Sequence, residues 1–299
     1  MPELPEVETI VRMLAPFAQA KRIELAELRL GRLLLGESVV NFAARLKNQK
    51  IHKILRRGKY IIFELENLSL IIHLGMTGQL TFSPKNPKID KTFIRTVTGL
   101  QKATGVHPVD KHTHLLLHLE KGERILFRDP RTFGKIILVE GLSWQKHSRI
   151  QILGPEPLEI DPSGFLADNF PITSNRPIKA LILDQNFLAG VGNIYADEAL
   201  FGAGINPSQV ASSLSKNTFG KLLLSIQNVL KKGIENSGTT FSDYRKPDGS
   251  KGQNQERLQV YGRGGEPCRK CKTILKKTTL AQRGTVFCPH CQKISPSKK

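Results

Sequence analysis

Three features are scarce in this 299-residue sequence: long apolar runs, cysteine and acidic residues. No apolar run approaches the roughly 18 residues that cross a bilayer, which excludes a membrane-spanning segment. The four cysteines come without a secretory signal, so disulfide bonds are not expected. Acidic residues number 26 against 45 lysines and arginines, which gives a net charge of +19. Such a basic chain is expected to bind a polyanion, and nucleic acid is favoured because no basic amphipathic helix indicates a membrane surface.

The positive charge is concentrated at the C-terminal end. Residues 251–299 contain twelve lysines and arginines, with Glu256 and Glu266 as their only acids. The N-terminus carries acids where a secretory signal would carry basic residues. We therefore expect a cytoplasmic protein, and its length is sufficient for two domains with their own cores.

The first residues, Met1-Pro2-Glu3, combine a chemical and a structural signal. If Met1 is removed, Pro2 presents a secondary amine that can attack an electrophilic carbon such as a sugar C1′ and form an iminium ion. The same stretch is typical of a helix N-terminus, with Pro5 in the first turn and acids near the dipole. Both interpretations are compatible, and the residues of this stretch alone do not separate them.

Residues 23 to about 140 are predicted to form short strands separated by glycine and proline, as in a β-sandwich or barrel. Ile51–Arg56 and Tyr60–Leu65 flank Arg57-Gly58-Lys59, which predicts a hairpin turn. Residues 84–111 are predicted to be a long loop. A linker follows at Gly154–Pro157, and the hydrophobic period then changes from strand to helix, with helices expected over Asn193–Phe201 and Ser215–Lys232.

All four cysteines lie in two CxxC pairs separated by sixteen residues. This spacing predicts a tetrahedral zinc site, and a closed four-cysteine shell predicts a structural metal. Between the pairs, Ala281–Gly284 is predicted to be a hairpin tip that fixes Arg283, although Arg283 is equally interpretable as one more exposed cation. The four ligands are Cys268, Cys271, Cys288 and Cys291.

Three further tracts carry candidate nucleic-acid contacts. Gly190–Asn193 opens a helix and offers N–H groups to a phosphate, or serves only as a helix cap. His73–Gly78 and Asp129–Gly134 place Met76, Arg131 and Phe133 in turns, where they could unstack a base pair or simply anchor loops on the core.

Together these tracts closely resemble the formamidopyrimidine-DNA glycosylase family. The matching tracts run in the family's order along nearly the whole chain: Met1–Glu8, Arg57–Tyr60, His73–Gly78, Asp129–Gly134, Gly190–Glu198, Leu258–Arg263 and the four cysteines. The resemblance implies an α+β multidomain fold. It places a β-sandwich with an N-terminal helix at 1–145, a helix–two-turn–helix module at 155–240 and a Cys₄ zinc finger at 258–299.

The resemblance also implies a bifunctional glycosylase and abasic-site lyase of bacterial base excision repair. Its expected partner is double-stranded DNA containing oxidised bases or abasic sites, and a monomer associated with the nucleoid is expected. Pro2 is the implied nucleophile, Glu3 the proton donor at the sugar, Lys59 the residue of β-elimination and Arg283 that of δ-elimination. The residues that map to DNA contacts or to the wedge are His73, Met76, His112, Arg131, Phe133, Arg176, Lys179 and Asn193.

Two alternatives stay open at this point. An endonuclease VIII-like relative would remove oxidised pyrimidines instead of 8-oxoguanine and formamidopyrimidines. A zinc-ribbon protein that has lost catalysis would bind nucleic acid without any need for Pro2, Glu3 or Lys59. The segment Thr240–Glu256 corresponds to a loop implicated in lesion recognition, but its stretch Asp243-Tyr244-Arg245-Lys246 is not a close match to the family, so lesion preference is less constrained than chemistry.

Overall fold

A computed structural model of the chain describes residues 1–84, 109–240 and 244–294. It contains two compact units, the first formed by Met1–Gln151 with Asn236–Gln255 and the second by Ile152–Glu235 with Glu256–Lys299. Most of the loop predicted at 84–111 lies outside the described residues. No helix in the described ranges is long and apolar enough to cross a membrane.

The first unit begins with helix α1, Leu4–Ala18, which has Pro5 in its first turn. Its residues Val7, Ile10, Val11 and Leu14 are all buried, as the helical spacing predicts. They join the core that lies between two β-sheets. The start of the chain is thereby anchored by hydrophobic packing, which matters because Pro2 and Glu3 immediately precede this helix.

Two sheets form a β-sandwich around that core, which confirms the predicted fold of the N-terminal part. Side chains from both sheets, including Phe63 and Phe127, belong to one hydrophobic cluster. One sheet has the strand order β1 (Ile23–Leu28), β7 (Thr113–Leu119), β8 (Arg124–Arg128), β6 (Gln79–Ser83). The other has the order β2 (Leu34–Leu35), β9 (Lys135–Glu140), β5 (Leu68–His73), β4 (Tyr60–Leu65), β3 (Ile51–Arg57), with only the β2–β9 pair parallel.

Helix α2, Val39–Leu46, interrupts the stretch for which only strands were predicted. The β-branched pair Val39-Val40 favours a strand, but the Ser38 side chain accepts a hydrogen bond from the Asn41 N–H at 3.2 Å and caps the helix. Phe42 and Leu46, four residues apart, then fall on one buried face. The prediction was wrong here because local capping and burial outweighed intrinsic propensity. A single short turn, α3 (Ser148–Gln151), follows the sandwich.

The second unit contains helices α4 (Pro162–Asn169), α5 (Ile178–Leu183), α6 (Asn193–Ala203) and α7 (Lys216–Glu235). Helix α6 ends at Gly204, whose φ of +69° suits glycine. Helices α6 and α7 pack closely at Gly202, where an added Cβ would lie 2.5 Å from the Ser225 Oγ. The Gly154–Pro157 segment packs within the same unit, since the Gly154 N–H donates to the Gln185 carbonyl at 2.9 Å.

A two-stranded hairpin, β10 (Lys276–Leu280) with β11 (Arg283–Phe287), completes the second unit. Its lobe is joined to the helices by hydrogen bonds. The Glu198 carboxylate accepts three consecutive backbone N–H groups, from Gln259, Val260 and Tyr261, at 2.8–2.9 Å. The Gln292 side chain donates to the Ile205 carbonyl at 2.8 Å. The zinc-finger segment and the helical segment therefore form one compact body.

Candidate active site

Pro2 and Glu3 are buried at the N-terminal end of α1, while Met1 is 46% exposed. The Glu6 carboxylate, itself buried, accepts the Glu3 N–H at 2.8 Å and the Thr239 N–H at 2.7 Å. One side chain thus fixes the backbone next to the candidate nucleophile and the segment beginning at Asn236. Sequence reasoning treated Glu6 only as a helix-terminal acid, because its second partner is distant along the chain.

Lys59 is the second residue of the two-residue turn of the β3–β4 hairpin. Gly58 adopts a φ of +56°, and Arg57 pairs with Tyr60 across the turn. Lys59 is 7% exposed, so this candidate catalytic residue is held largely inside the protein. The predicted hairpin is confirmed in position.

His73 ends strand β5 beside this hairpin, with its ring 4.8 Å from that of Tyr60. Burial, together with the positive charges of Lys59 and Arg149, lowers the pKa of His73 to about 4. Its Nδ1 accepts the Gly75 N–H at 3.1 Å. His73 is therefore a neutral imidazole with its proton on Nε2 near pH 7, so Nε2–H is a hydrogen-bond donor without a positive charge.

The turns at 74–78 and 129–134 pack directly against each other. The buried Asp129 carboxylate accepts hydrogen bonds from the Thr77 hydroxyl and from the Gly134 N–H, the latter at 2.7 Å. The Thr77 Oγ1 in turn accepts the Arg131 N–H at 3.2 Å. A Cβ added at Gly75 would lie 2.6 Å from the Phe133 backbone, so only glycine fits at this approach. Asp129 joins the two turns into one frame.

This frame presents three predicted wedge residues together. Met76 is 37% exposed and Phe133 50% exposed, which is unusual for large apolar side chains. The Arg131 guanidinium lies 4.9 Å from the centroid of the Phe133 ring, within cation–π distance. An exposed apolar pair with an adjacent cation is suited to filling a gap in stacked bases. We refer to Met76, Arg131 and Phe133 as the wedge.

His112 is half-buried beside the same frame. Its carbonyl accepts the Asp129 N–H at 2.9 Å, and its own N–H donates to the Asp110 carboxylate at 2.9 Å. The Asp110 pKa is lowered to about 2, because hydrogen bonds from Arg128 and the His112 backbone outweigh the opposing effect of burial. The backbone that carries His112 is thus tied to an ionised carboxylate.

Arg283 is exposed and follows the turn Ala281-Gln282, in which both residues have positive φ, +47° and +59°. Asn193, at the start of α6, donates its side-chain N–H to the Gly284 carbonyl at 2.9 Å. The Asp197 carboxylate accepts the Val286 N–H at 3.0 Å. Helix α6 therefore holds the strand that carries Arg283.

Lys179 and Arg176 differ sharply in exposure although both were predicted to meet DNA. The Arg176 guanidinium is about half exposed and pairs with Asp184 at 3.0 Å. Lys179 is completely buried, and its ammonium lies 2.7 Å from the Asp197 carboxylate. Burial raises the pKa of Asp197 to about 6 against the opposing effect of Lys179. Sequence reasoning missed Asp197, because nothing in its local pattern marks a buried partner.

The four cysteine Sγ atoms all lie within 4.8 Å of one another. The Sγ atoms of Cys271 and Cys288 are 3.5 Å apart, far longer than a disulfide bond of about 2.05 Å. Thiolates at the corners of a tetrahedron with Zn–S distances of about 2.3 Å would be about 3.8 Å apart. The donor set and its spacing thus fit one structural zinc ion, as predicted.

The predicted residues fall into two groups, one in each unit. Within the first unit, the structure holds Pro2 and Glu3 immediately before α1, Lys59 and His73 at the β3–β4–β5 end, and His112 beside the two turns that Asp129 joins. The group in the second unit comprises Arg176, Lys179, Asn193, Arg283 and the four cysteines.

Matches to known proteins extend over nearly the whole chain. Family models for the formamidopyrimidine-DNA glycosylase N-terminal domain, its H2TH domain and a zinc finger found in that family match residues 1–136, 153–245 and 265–294. The formamidopyrimidine-DNA glycosylase of Desulfitobacterium hafniense is 42% identical over 98% of this chain and 100% of its own length.

Solved structures agree with the family models. The enzyme of Thermus thermophilus is 37% identical, with a TM-score of 0.81 over 99% of this chain and 100% of its own. A Lactococcus lactis enzyme variant in complex with DNA containing Fapy-dG is 32% identical, with a TM-score of 0.83 over 98% and 100% of the two chains. These matches confirm the helix–two-turn–helix module and the zinc finger, and the chain belongs to the formamidopyrimidine-DNA glycosylase family of base excision repair.

Proposed function

We propose that this glycosylase excises oxidised purines, 8-oxoguanine and formamidopyrimidines, from duplex DNA and then cleaves the strand by β,δ-elimination. The observation that carries the proposal is the start of α1, where Glu6 fixes the backbone of Glu3 beside the buried Pro2. A secondary amine needs such placement to reach C1′ of a nucleotide that has been flipped out of the stack.

The proposed chemistry begins after removal of Met1. The Pro2 nitrogen attacks C1′, the bond from C1′ to the base breaks, and the base leaves with the electron pair and takes up the proton that the Pro2 nitrogen loses. Glu3 protonates the sugar ring oxygen, so the ring opens and C1′ becomes an iminium carbon. General acids of this kind contribute about 10²–10⁴-fold in rate.

The iminium ion then acts as an electron sink for the two eliminations. Loss of a C2′ proton expels the 3′ phosphate, a step we assign to Lys59, and loss of the C4′ proton then expels the 5′ phosphate with the help of Arg283. Hydrolysis of the remaining iminium ion releases the sugar fragment as an aldehyde and returns the Pro2 amine. Lys59 is suited to its step because its 7% exposure shields the amine from water.

DNA binding is assigned to the wedge and to the remaining predicted contacts. Met76, Arg131 and Phe133 fill the space left by the extruded nucleotide, while phosphate contacts hold the bent backbone. The proposed contacts are His73, His112, Arg176 and Asn193. We retain 1–145, 155–240 and 258–299 as the proposed domains and propose a cytoplasmic enzyme associated with the nucleoid through DNA.

For the lesion class, a specific observation favours an alternative, the excision of oxidised pyrimidines. A Lactococcus lactis enzyme of this family has been solved with DNA containing an oxidised pyrimidine. The test is borohydride trapping on matched duplexes carrying 8-oxoguanine, formamidopyrimidine or an oxidised pyrimidine. We expect trapping at least ten times faster on the purine lesions. Faster trapping on the pyrimidine lesion would overturn the assignment in favour of endonuclease VIII-like specificity.

A further inference from the structure

Lys179 is a charged side chain that the proposed reaction does not use and that the fold completely encloses. Its exposure is 0%, and its ammonium lies 2.7 Å from Asp197 Oδ1 in an ion pair and donates hydrogen bonds to Thr285 Oγ1 at 2.7 Å and to the Gly284 carbonyl at 3.1 Å. A lysine in this state contacts protein groups and cannot reach a DNA phosphate.

The acceptors of Lys179 lie on two elements of the second unit. Asp197 belongs to α6, whereas Gly284 and Thr285 immediately follow Arg283 on β11. The Thr285 hydroxyl, which accepts from Lys179, donates to the Arg283 carbonyl at 3.1 Å. A continuous polar chain therefore leads from the buried ammonium to the backbone of Arg283.

A two-stranded hairpin is at most marginally stable by itself, so the position of Arg283 depends on such supports. The cysteines hold the base of the hairpin, where Cys288 follows Phe287. The hydrogen bonds from Lys179 act near the tip of the hairpin, where Leu280 pairs with Arg283. An apolar residue of similar size would often stabilise a fold as well as a buried ion pair does. The charge is therefore best explained by its directional bonds to the hairpin.

We propose that Lys179 is a positioning residue that, through Thr285, holds Arg283 in the geometry needed for δ-elimination. This inference rests on the proposed role of Arg283. It predicts a selective defect: without the ammonium, the nucleophile, the wedge and β-elimination stay intact, while the second elimination slows.

The experiment compares wild type with Lys179→Met, which keeps the length of the side chain without its charge, and with Lys179→Arg, which keeps the charge. Single-turnover cleavage of a duplex with an abasic site gives the partition between β- and δ-elimination products. Borohydride trapping on the same duplex reports the nucleophile. For Lys179→Met we expect trapping within about 2-fold of wild type and a δ step at least 10-fold slower, with partial rescue by Lys179→Arg.

Hydrogen exchange provides a readout independent of catalysis. We expect the peptide spanning 281–287 to exchange at least 10-fold faster in Lys179→Met, with zinc content and exchange in α7 unchanged. An unchanged partition, unchanged exchange in 281–287, or equal losses in trapping and δ-elimination would each overturn the inference. If wild type gives a trapped adduct but no δ product, the assignment of Arg283 fails, and the exchange result still decides whether Lys179 fixes the hairpin.

Thr285→Val and Thr285→Ser test the same series of hydrogen bonds if Lys179→Met fails to fold. The valine removes only the hydroxyl that links Lys179 to Arg283, whereas the serine retains it. We expect the valine variant to accumulate β-elimination product and the serine variant to resemble wild type. Identical product partition in the two variants would contradict the inference.

Discussion

The hairpins that carry Lys59 and Arg283 both have two-residue turns but differ in what stabilises them. In the Gly58-Lys59 turn only Gly58 has a positive φ, and Lys59 lies in the turn itself; in the Ala281-Gln282 turn both residues have a positive φ, and Arg283 follows directly. The Lys59 hairpin belongs to a five-stranded sheet packed on the core, and its lysine is 7% exposed. The Arg283 hairpin has two strands, an exposed arginine, four cysteines at its base and a buried ion pair near its tip.

This difference shows two ways of fixing a charged side chain. In the sandwich, hydrophobic packing against neighbouring strands and α1 leaves the hairpin that carries Lys59 little freedom. In the second unit, the small cluster of Val260, Leu275 and Val286 around the cysteines is too limited to do so. Metal ligands and directional hydrogen bonds take its place. The two cations should therefore respond to different perturbations.

The largest expected effect is loss of zinc from Cys291→Ser or from chelation. Binding of a structural zinc ion is worth about 10–16 kcal/mol, which exceeds what this small lobe gains from its core. We expect the Arg283 hairpin to lose its order and δ-elimination to be abolished, while the sandwich keeps its strand signal in circular dichroism. Elemental analysis and product analysis check this. Normal δ-elimination by zinc-free protein would contradict it.

The corresponding perturbation of the Lys59 hairpin is the truncation of a side chain in the core of the sandwich. Phe63→Ala in β4 removes a completely buried ring, and we expect the free energy of unfolding to fall by about 3–5 kcal/mol. Val286→Ala in β11 is the control and should cost only about 1–2 kcal/mol by lost apolar burial. Urea unfolding with retained zinc measures both. A larger loss for Val286→Ala would reverse the proposed difference in support.

The turns themselves provide a smaller and opposite pair of effects. Gly58→Ala places a Cβ at a φ of +56° and should destabilise the protein by about 1–2 kcal/mol. Gln282→Gly relieves a non-glycine residue at +59° and should be neutral or stabilising by up to about 1 kcal/mol. Thermal unfolding of the two variants measures both changes in stability. A change of the same sign in both variants would show that a positive φ does not penalise a side chain equally in the two turns.

The smallest expected effect is the change that Lys59→Met makes to the pKa of His73, which lies beside the Lys59 hairpin. Since its pKa is lowered to about 4 from a usual 6.5, the unfolded chain binds this proton first, and stability is lost as the pH falls from about 6.5 towards 4. Burial is the main cause and Lys59 the next, so Lys59→Met should raise the pKa only partly. NMR titration of the imidazole measures this. A midpoint near 6.5 in the wild type would show that His73 is not enclosed as described.

The sequence predicted the elements whose signals are local. The apolar face of α1, the β3–β4 hairpin and the four zinc ligands were all evident from spacing or from turn chemistry. Family resemblance supplied the roles of Pro2 and Glu3, which no local pattern distinguishes from a helix cap.

What escaped prediction depends on partners that are distant along the chain. Lysine is usually a surface residue. The burial of Lys179 follows only from its contacts with Asp197 and Thr285, which the fold creates. The role of Asp129 likewise depends on a distant residue, because its carboxylate accepts a hydrogen bond from the Thr77 hydroxyl. Helix α2 was missed because capping by Ser38 overrode the strand preference of Val39-Val40.

The central claim is that Pro2, and not a lysine, forms the covalent link to DNA. The most direct measurement is borohydride reduction on a duplex carrying 8-oxoguanine, followed by digestion and mass spectrometry of the cross-linked peptide. We predict that the nucleotide is attached to the amine of Pro2 in chains lacking Met1, and that chains retaining Met1 bind the duplex without cleaving it. An adduct on Lys59, or strand cleavage by protein shown to keep Met1, would contradict the account.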